Sequence, residues 1–191
     1  MESFPEKYGD VFISRIREIR KCLDEQLYLS ALSLSLTLPD MCGKAEYPEY
    51  NDKSKERYIK WFDSFVHGYE KTQSPYSDDL PHLNGEVVYQ LRCNLLHSGN
   101  PNIDKKNIKE ADNQIDQFVI EHGGGLLGDT SAVSYSAGLK PASRHYYLNM
   151  DLLCIRLCNA AEKYYEENKD KFSFINYTFV HSNVNENVQY N

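Results

Sequence analysis

A chain of 191 residues can bury a substantial core and is still short enough to form one domain. Its 15 tyrosines and eight phenylalanines argue against a disordered chain, and a formal net charge of −7 opposes indiscriminate binding to nucleic acid, which depends on neutralising phosphates. No signal-peptide region precedes the first polar helix and no apolar run approaches membrane-span length, so a cytoplasmic protein that does not engage a membrane is expected.

Residues 1–8 read as a short, loosely held arm. From Asp10 onward Phe12, Ile16, Ile19 and Leu23 fall at i, i+4, i+7 and i+11, the stripe of an amphipathic helix. Arg17 and Lys21 lie opposite that stripe and Arg15 and Arg20 on its flanks. They either solvate the helix or guide a phosphate backbone towards a neighbouring cleft. Residues 24–38 are ambiguous. The alternation of Leu34, Leu36 and Leu38 with Ser33, Ser35 and Thr37 suggests a strand, whereas Tyr28, Leu32 and Leu36 fit a helix, which the polar start and the length favour. Pro39 and Gly43 are expected to close this segment, with Asp40 as a turn or capping residue in preference to a catalytic acid.

A polar connection over residues 44–52 leads to a third helix. There Tyr58, Trp61, Phe62, Phe65 and Tyr69 form an aromatic stripe whose plain reading is core packing; stacking on bases would require exposed rings. Residues 71–81 read as a loop bordering the next element. The fourth helix falls within residues 83–101, where Val87, Leu91 and Leu95 recur every four residues with Val88 beside them. Asn84 is its expected N-cap, and Gly99 and Pro101 supply the stop. Arg92 and His97 are five residues apart, which on one helix separates them by about 140°. A site using both therefore needs a second surface, such as the same helix of a partner subunit crossing near a two-fold axis.

Residues 102–150 read as an insertion before the last long helix. A charged stretch opens it, and short strands are expected around Phe118 to Ile120, Ala132 to Ser136 and Tyr146 to Leu148, with glycine-rich turns between them. The run from Gly123 to Thr130 has the glycine spacing of a phosphate-binding loop, but Asp129 stands where that loop needs lysine, so a turn is the expectation. The final helix, residues 151–168, buries Leu153, Leu157, Ala160 or Ala161, and Tyr164. Phe172, Phe174, Tyr177 and Phe179 then suggest an edge strand added to the inserted sheet. Cys154 and Cys158 share a face of the final helix and read as buried thiols. The histidines His82, His97, His122, His145 and His181 show no ligand spacing, so neither a metal nor a cofactor is expected.

The stretch from Arg92 to His97, with Ser98, Gly99 and Asn100 after it, resembles the Arg-x4-His pattern of the HEPN superfamily, the higher eukaryote and prokaryote nucleotide-binding domains. Family members commonly carry a polar residue directly after the arginine; here that place holds Cys93, and the polar residue is Asn94. The resemblance implies a mainly α fold, a HEPN-like bundle of about five helices with a small β-sheet insertion before the last long helix, forming one domain over residues 1–191. It further implies a homodimer and a metal-independent RNA endonuclease of toxin or phage-defence type, with an antitoxin or regulatory protein as a further partner. Its catalytic residues would be Arg92, His97 and Asn94; apart from the resemblance, Arg92 reads as the partner of a carboxylate between helices and His97 as a residue that closes its helix. RNA supplies the nucleophile in its ribose 2′-hydroxyl; a histidine moves the proton and an arginine fork stabilises the phosphate. The alternative is a non-catalytic HEPN-like module that binds RNA or another protein.

Overall fold

The computed structural model describes residues 10–69, 79–123, 128–138 and 140–177. The arm at residues 1–8, most of the loop at 71–81, the centre of the glycine run and the chain from residue 178 lie outside the described residues.

Helix α1, Val11–Asp24, starts on Asp10, whose Oδ1 accepts the amides of Phe12 and Ile13 at 3.0 and 3.3 Å. Its expected stripe is the buried face: Phe12, Ile16 and Ile19 are closed off, and Leu23 is half-buried. The helix ends in a Schellman turn, in which the Leu27 amide returns to the Cys22 carbonyl and the Gln26 amide to that of Leu23. Gln26 occupies the left-handed position, φ 58°, that glycine usually fills there.

The next segment departs from expectation. Instead of one helix closed by Pro39 and Gly43, a short helix α2, Tyr28–Ser35, is followed by a second, α3, Leu38–Glu46, that contains both residues. Proline is compatible with a first turn because no intrahelical bond needs its missing N–H, so Pro39 opens α3. Gly43 serves packing: a Cβ there would lie 2.8 Å from the Arg57 carbonyl oxygen. The strand alternative for residues 33–38 is excluded as well. Ser35 turns inward, where its hydroxyl donates to the Leu32 carbonyl and lies 3.3 Å from the Cys154 sulfur.

Helix α4, Ser54–Phe65, buries Tyr58, Trp61 and Phe62. The Tyr58 hydroxyl donates to the Leu36 carbonyl at 3.1 Å, and Trp61 stacks on Phe65 with ring centroids 5.4 Å apart. The aromatic stripe is core, and its last ring, Tyr69, is buried beyond the end of the helix, which stops where Val66 becomes extended. Helix α5, Gly85–Ser98, is capped by Asn84, whose side chain accepts the Val87 amide at 3.0 Å. It ends at Gly99, φ 65°. At its start a Cβ on Gly85 would sit 2.6 Å from the Ile59 carbonyl oxygen, so α4 and α5 are in backbone contact there.

Two 3-10 turns, Lys105–Asn107 and Ala111–Asn113, lead to β1, Gln117–Glu121. Strands β2, Thr130–Tyr135, and β3, Pro141–Asn149, complete a sheet of order β1-β3-β2. β3 is parallel to β1 and antiparallel to β2. Phe118 lies opposite Tyr146 and Ile120 opposite Leu148, and buried Tyr146 and Leu148 carry the sheet onto the core. Asn149 ends β3 and caps α6, Met150–Glu167, accepting the Leu152 amide at 3.0 Å. Helix α6 buries Leu153, Cys154, Leu157, Cys158, Ala161, Tyr164 and Tyr165, and packs on α1, α2 and α3.

The fold is therefore mainly helical, with a small three-stranded sheet placed before the last long helix, as expected. The chain after α6 differs. Residues Lys169–Phe172 form a 3-10 turn, no strand follows through residue 177, and Phe172 is buried against Phe12 and Tyr165. Phe172, with Phe174 packed against the core, serves the helical core instead of a sheet edge, while Tyr177 is exposed and Phe179 lies outside the described residues. Cys154 and Cys158 are free, buried thiols, each pushed up to about 12 by burial. Gly85→Ala is expected to lower stability by about 1–3 kcal/mol through overpacking at the α4–α5 contact, read as a fall in thermal midpoint with unchanged far-UV circular dichroism.

Candidate functional site

The C-terminal half of α5 carries all three residues singled out in the sequence. Its inward face, Val87, Val88, Leu91 and Leu95, is fixed by the core, which leaves Arg92, Asn94 and His97 on other faces. Arg92 turns towards α3: its Nη2 donates to Asp40 Oδ2 at 2.8 Å, with the two side chains 23% and 20% exposed. Among the described residues Nη1 meets only the Cys93 sulfur, at 3.9 Å, and the buried Nε has no hydrogen-bond partner. Burial works against the Arg92 charge, but the Asp40 carboxylate and the Cys93 sulfur outweigh it and hold the guanidinium above its ordinary pKa.

His97 is exposed on the last turn of α5, next to Leu96, which is 38% exposed. It forms no hydrogen bond or ion pair among the described residues. The 140° of helix rotation separates it from Arg92, so one chain does not gather the two into a single cleft. Asn94 donates from its side-chain amide to the Asn102 carbonyl, and its own carbonyl accepts from Ser98 Oγ at 2.7 Å. It thus pins the chain that leaves the helix.

The surroundings of Arg92 are polar and interlocked. Lys55 of α4 lies 3.6 Å from Glu86, which accepts the Lys109 amide at 2.8 Å, and its Nζ sits 5.8 Å from the centre of the Tyr89 ring. At the start of α3, Arg15 of α1 donates to Thr37 Oγ1, three residues before Asp40. Arg20 is committed elsewhere, to Glu162 at 2.6 Å and to Asn159. Arg17 and Lys21 face solvent.

Asp40 is the residue that sequence reasoning missed. The sequence favours a turn or capping residue over a catalytic acid there, and although Arg92 reads as a partner for some carboxylate, nothing in the sequence links it to one 52 positions earlier. An acidic residue one place after a proline at a helix start was the available signal, and it points equally well to the helix dipole.

Asp129, at the position a phosphate-binding loop reserves for lysine, is fully engaged inside the fold. Its carboxylate accepts from the Tyr146 hydroxyl and the Asn149 amide, each at 2.7 Å, and so secures β2 to the start of α6. The remaining histidines are dispersed: His122 stacks on Tyr28 at 4.1 Å and His145 Nε2 lies 2.8 Å from Ser143 Oγ. Among the described residues no three His, Cys, Asp or Glu side chains converge as a metal-binding group, and no helix is long and apolar enough to cross a membrane. Comparison of the chain with protein-family models, with curated proteins and with solved structures finds no match in any of the three.

Burial holds the Asp129 carboxyl above the usual carboxylate range, partly offset by its two hydrogen bonds. A carboxyl whose folded pKa exceeds its unfolded value costs nothing while both states are protonated. The cost appears as pH rises from the ordinary carboxylate pKa to the folded one. Asp129→Asn should therefore gain stability relative to wild type as pH increases across that window, measured as the difference in thermal midpoint between the two proteins from pH 4 to 7.

Proposed function

We propose that this protein is a metal-independent RNA endonuclease of the HEPN-like kind, active as a homodimer. The observation that carries this reading is the end of α5. His97 is exposed beside an exposed Leu96, while Arg92 lies about one and a half turns upstream with a guanidinium nitrogen, Nη1, that meets no oxygen acceptor among the described residues. Two copies of α5 crossing near a two-fold axis would place the Arg92 and His97 side chains of both chains around one phosphate, with Leu96 as an apolar contact between them.

In that arrangement the ribose 2′-hydroxyl attacks the adjacent phosphorus as one histidine takes its proton. The second histidine protonates the departing 5′-oxygen, and Arg92 donates to the phosphate oxygens as their charge grows. The products are a 2′,3′-cyclic phosphate and a free 5′-hydroxyl, and proton and electron count balance without a metal. Asn94 supports the site by holding the chain that leaves α5 through its bond to the Asn102 carbonyl.

A second reading is favoured by a specific contact. The Arg92–Asp40 ion pair ties α3 to α5, which suits a non-catalytic HEPN-like module that presents the same surface to RNA or to a regulatory protein.

The two are separated by incubating wild type and His97→Ala with a mixed panel of RNAs in chelator. The endonuclease reading expects cleavage to cyclic phosphate ends, a drop of at least about 10²-fold in the variant, and a dimer by sedimentation. A wild type that is monomeric and cleaves no more than His97→Ala would leave the binding module.

A further inference from the structure

We infer that Asp40 is the positioning residue of this site, holding the Arg92 guanidinium so that its Nη1 corner faces the RNA phosphate. This rests on reading Arg92 as the phosphate-binding group. The three nitrogens of the fork have three different circumstances. Among the described residues Nη2 is fixed by Asp40 Oδ2 at 2.8 Å, Nε is buried without a partner, and Nη1 has only a sulfur at 3.9 Å. A planar group held at one corner and buried at another has little freedom left, and the corner that remains is the one a phosphate oxygen would meet.

Asp40 is itself well anchored. It lies in the first turn of α3, where unpaired amides favour a carboxylate, and α3 is set by Pro39 before it and by the close approach of Gly43 to α4 after it. The carboxylate is monodentate towards Arg92. A carboxylate that merely blocked the arginine would be expected to take both donors of one edge, as bidentate pairs do. An arginine whose rotamers are restricted before the substrate arrives loses less freedom on binding, so Asp40 acts through Arg92 without touching RNA.

The opposite idea, that Asp40 competes with phosphate, predicts the reverse response, and the experiment decides between them. Wild type, Asp40→Asn, Asp40→Ala, Arg92→Ala and the Asp40→Ala/Arg92→Ala double variant are compared after far-UV circular dichroism confirms folding. Each meets a mixed-sequence single-stranded RNA under single-turnover conditions. Each also meets the same RNA with every 2′-hydroxyl methylated, which lacks the nucleophile and reports binding alone. Asp40→Ala and Arg92→Ala should each weaken binding of the methylated RNA about tenfold, with the double variant no weaker than either single one. Cleavage should fall in parallel, and Asp40→Asn should stay closer to wild type because its amide oxygen still accepts from Nη2.

Unchanged or tighter binding by Asp40→Ala, or additive losses in the double variant, overturns the inference. If Asp40→Ala does not fold, the same comparison with Asp40→Ser, whose hydroxyl is too short to reach Nη2, decides. If wild type leaves every RNA intact while the binding losses remain coupled, the endonuclease reading falls and the positioning role stands. His97-dependent cleavage that is indifferent to Asp40 gives the converse, and failure of wild type to bind the methylated RNA removes both.

Discussion

Two backbone contacts around α4 set the geometry on which the rest depends. At Gly43 the helix α3, and at Gly85 the helix α5, come so close to α4 that a Cβ would meet a main-chain oxygen at 2.8 and 2.6 Å. Side chains of ordinary length reach further when the backbones behind them are close. Asp40 stands three residues before the first glycine and Arg92 seven after the second, and they meet at 2.8 Å. Tyr58 of α4 fills the space beneath, edge-on to Tyr89 at 5.3 Å, with its hydroxyl turned back to the Leu36 carbonyl. The ion pair is thus a consequence of how three helices fit.

Much of this architecture was legible in the sequence because helices and strands leave periodic marks. The stripes of α1, α4, α5 and α6 follow i, i+3 and i+4 spacing, and the caps at Asn84 and Gly99 belong to residue types with a physical reason to be there. The three short strands were located by their β-branched and aromatic residues, although the parallel pairing of β1 with β3 was not, since register and direction depend on partners that a single strand does not name. Pro39 and Gly43 misled because each has two uses. Proline stops a helix in its interior and starts one at its first turn; glycine ends a helix or lets another backbone touch it.

The candidate site was legible only in part, and the division is physical. Arg92, Asn94 and His97 lie within six residues of one helix, so sequence spacing fixes their relative rotation and separates the arginine from the histidine. What Arg92 touches depends on a helix 52 positions away, and no local pattern carries that distance. The acidic chain also distributes its cations unevenly between work inside the fold and exposure to solvent. Arg20 and Arg156 are spent on Glu162 and on the Gly68 carbonyl, whereas Lys44, Lys53 and Lys60 lie over exposed or half-buried aromatic rings near the α3–α4 junction.

The irregular pairing between Ser134 and Tyr135 has its own consequence. β2 is an outer strand, and a regular outer strand offers a row of unpaired amides and carbonyls on which another chain can extend the sheet. A break in register bends the strand and spoils the even spacing such growth requires. With Thr130, Ser131 and Ser134 along the same strand, this border of the sheet is ill suited to self-association, so the β2 side of the layer can lie open without seeding aggregates.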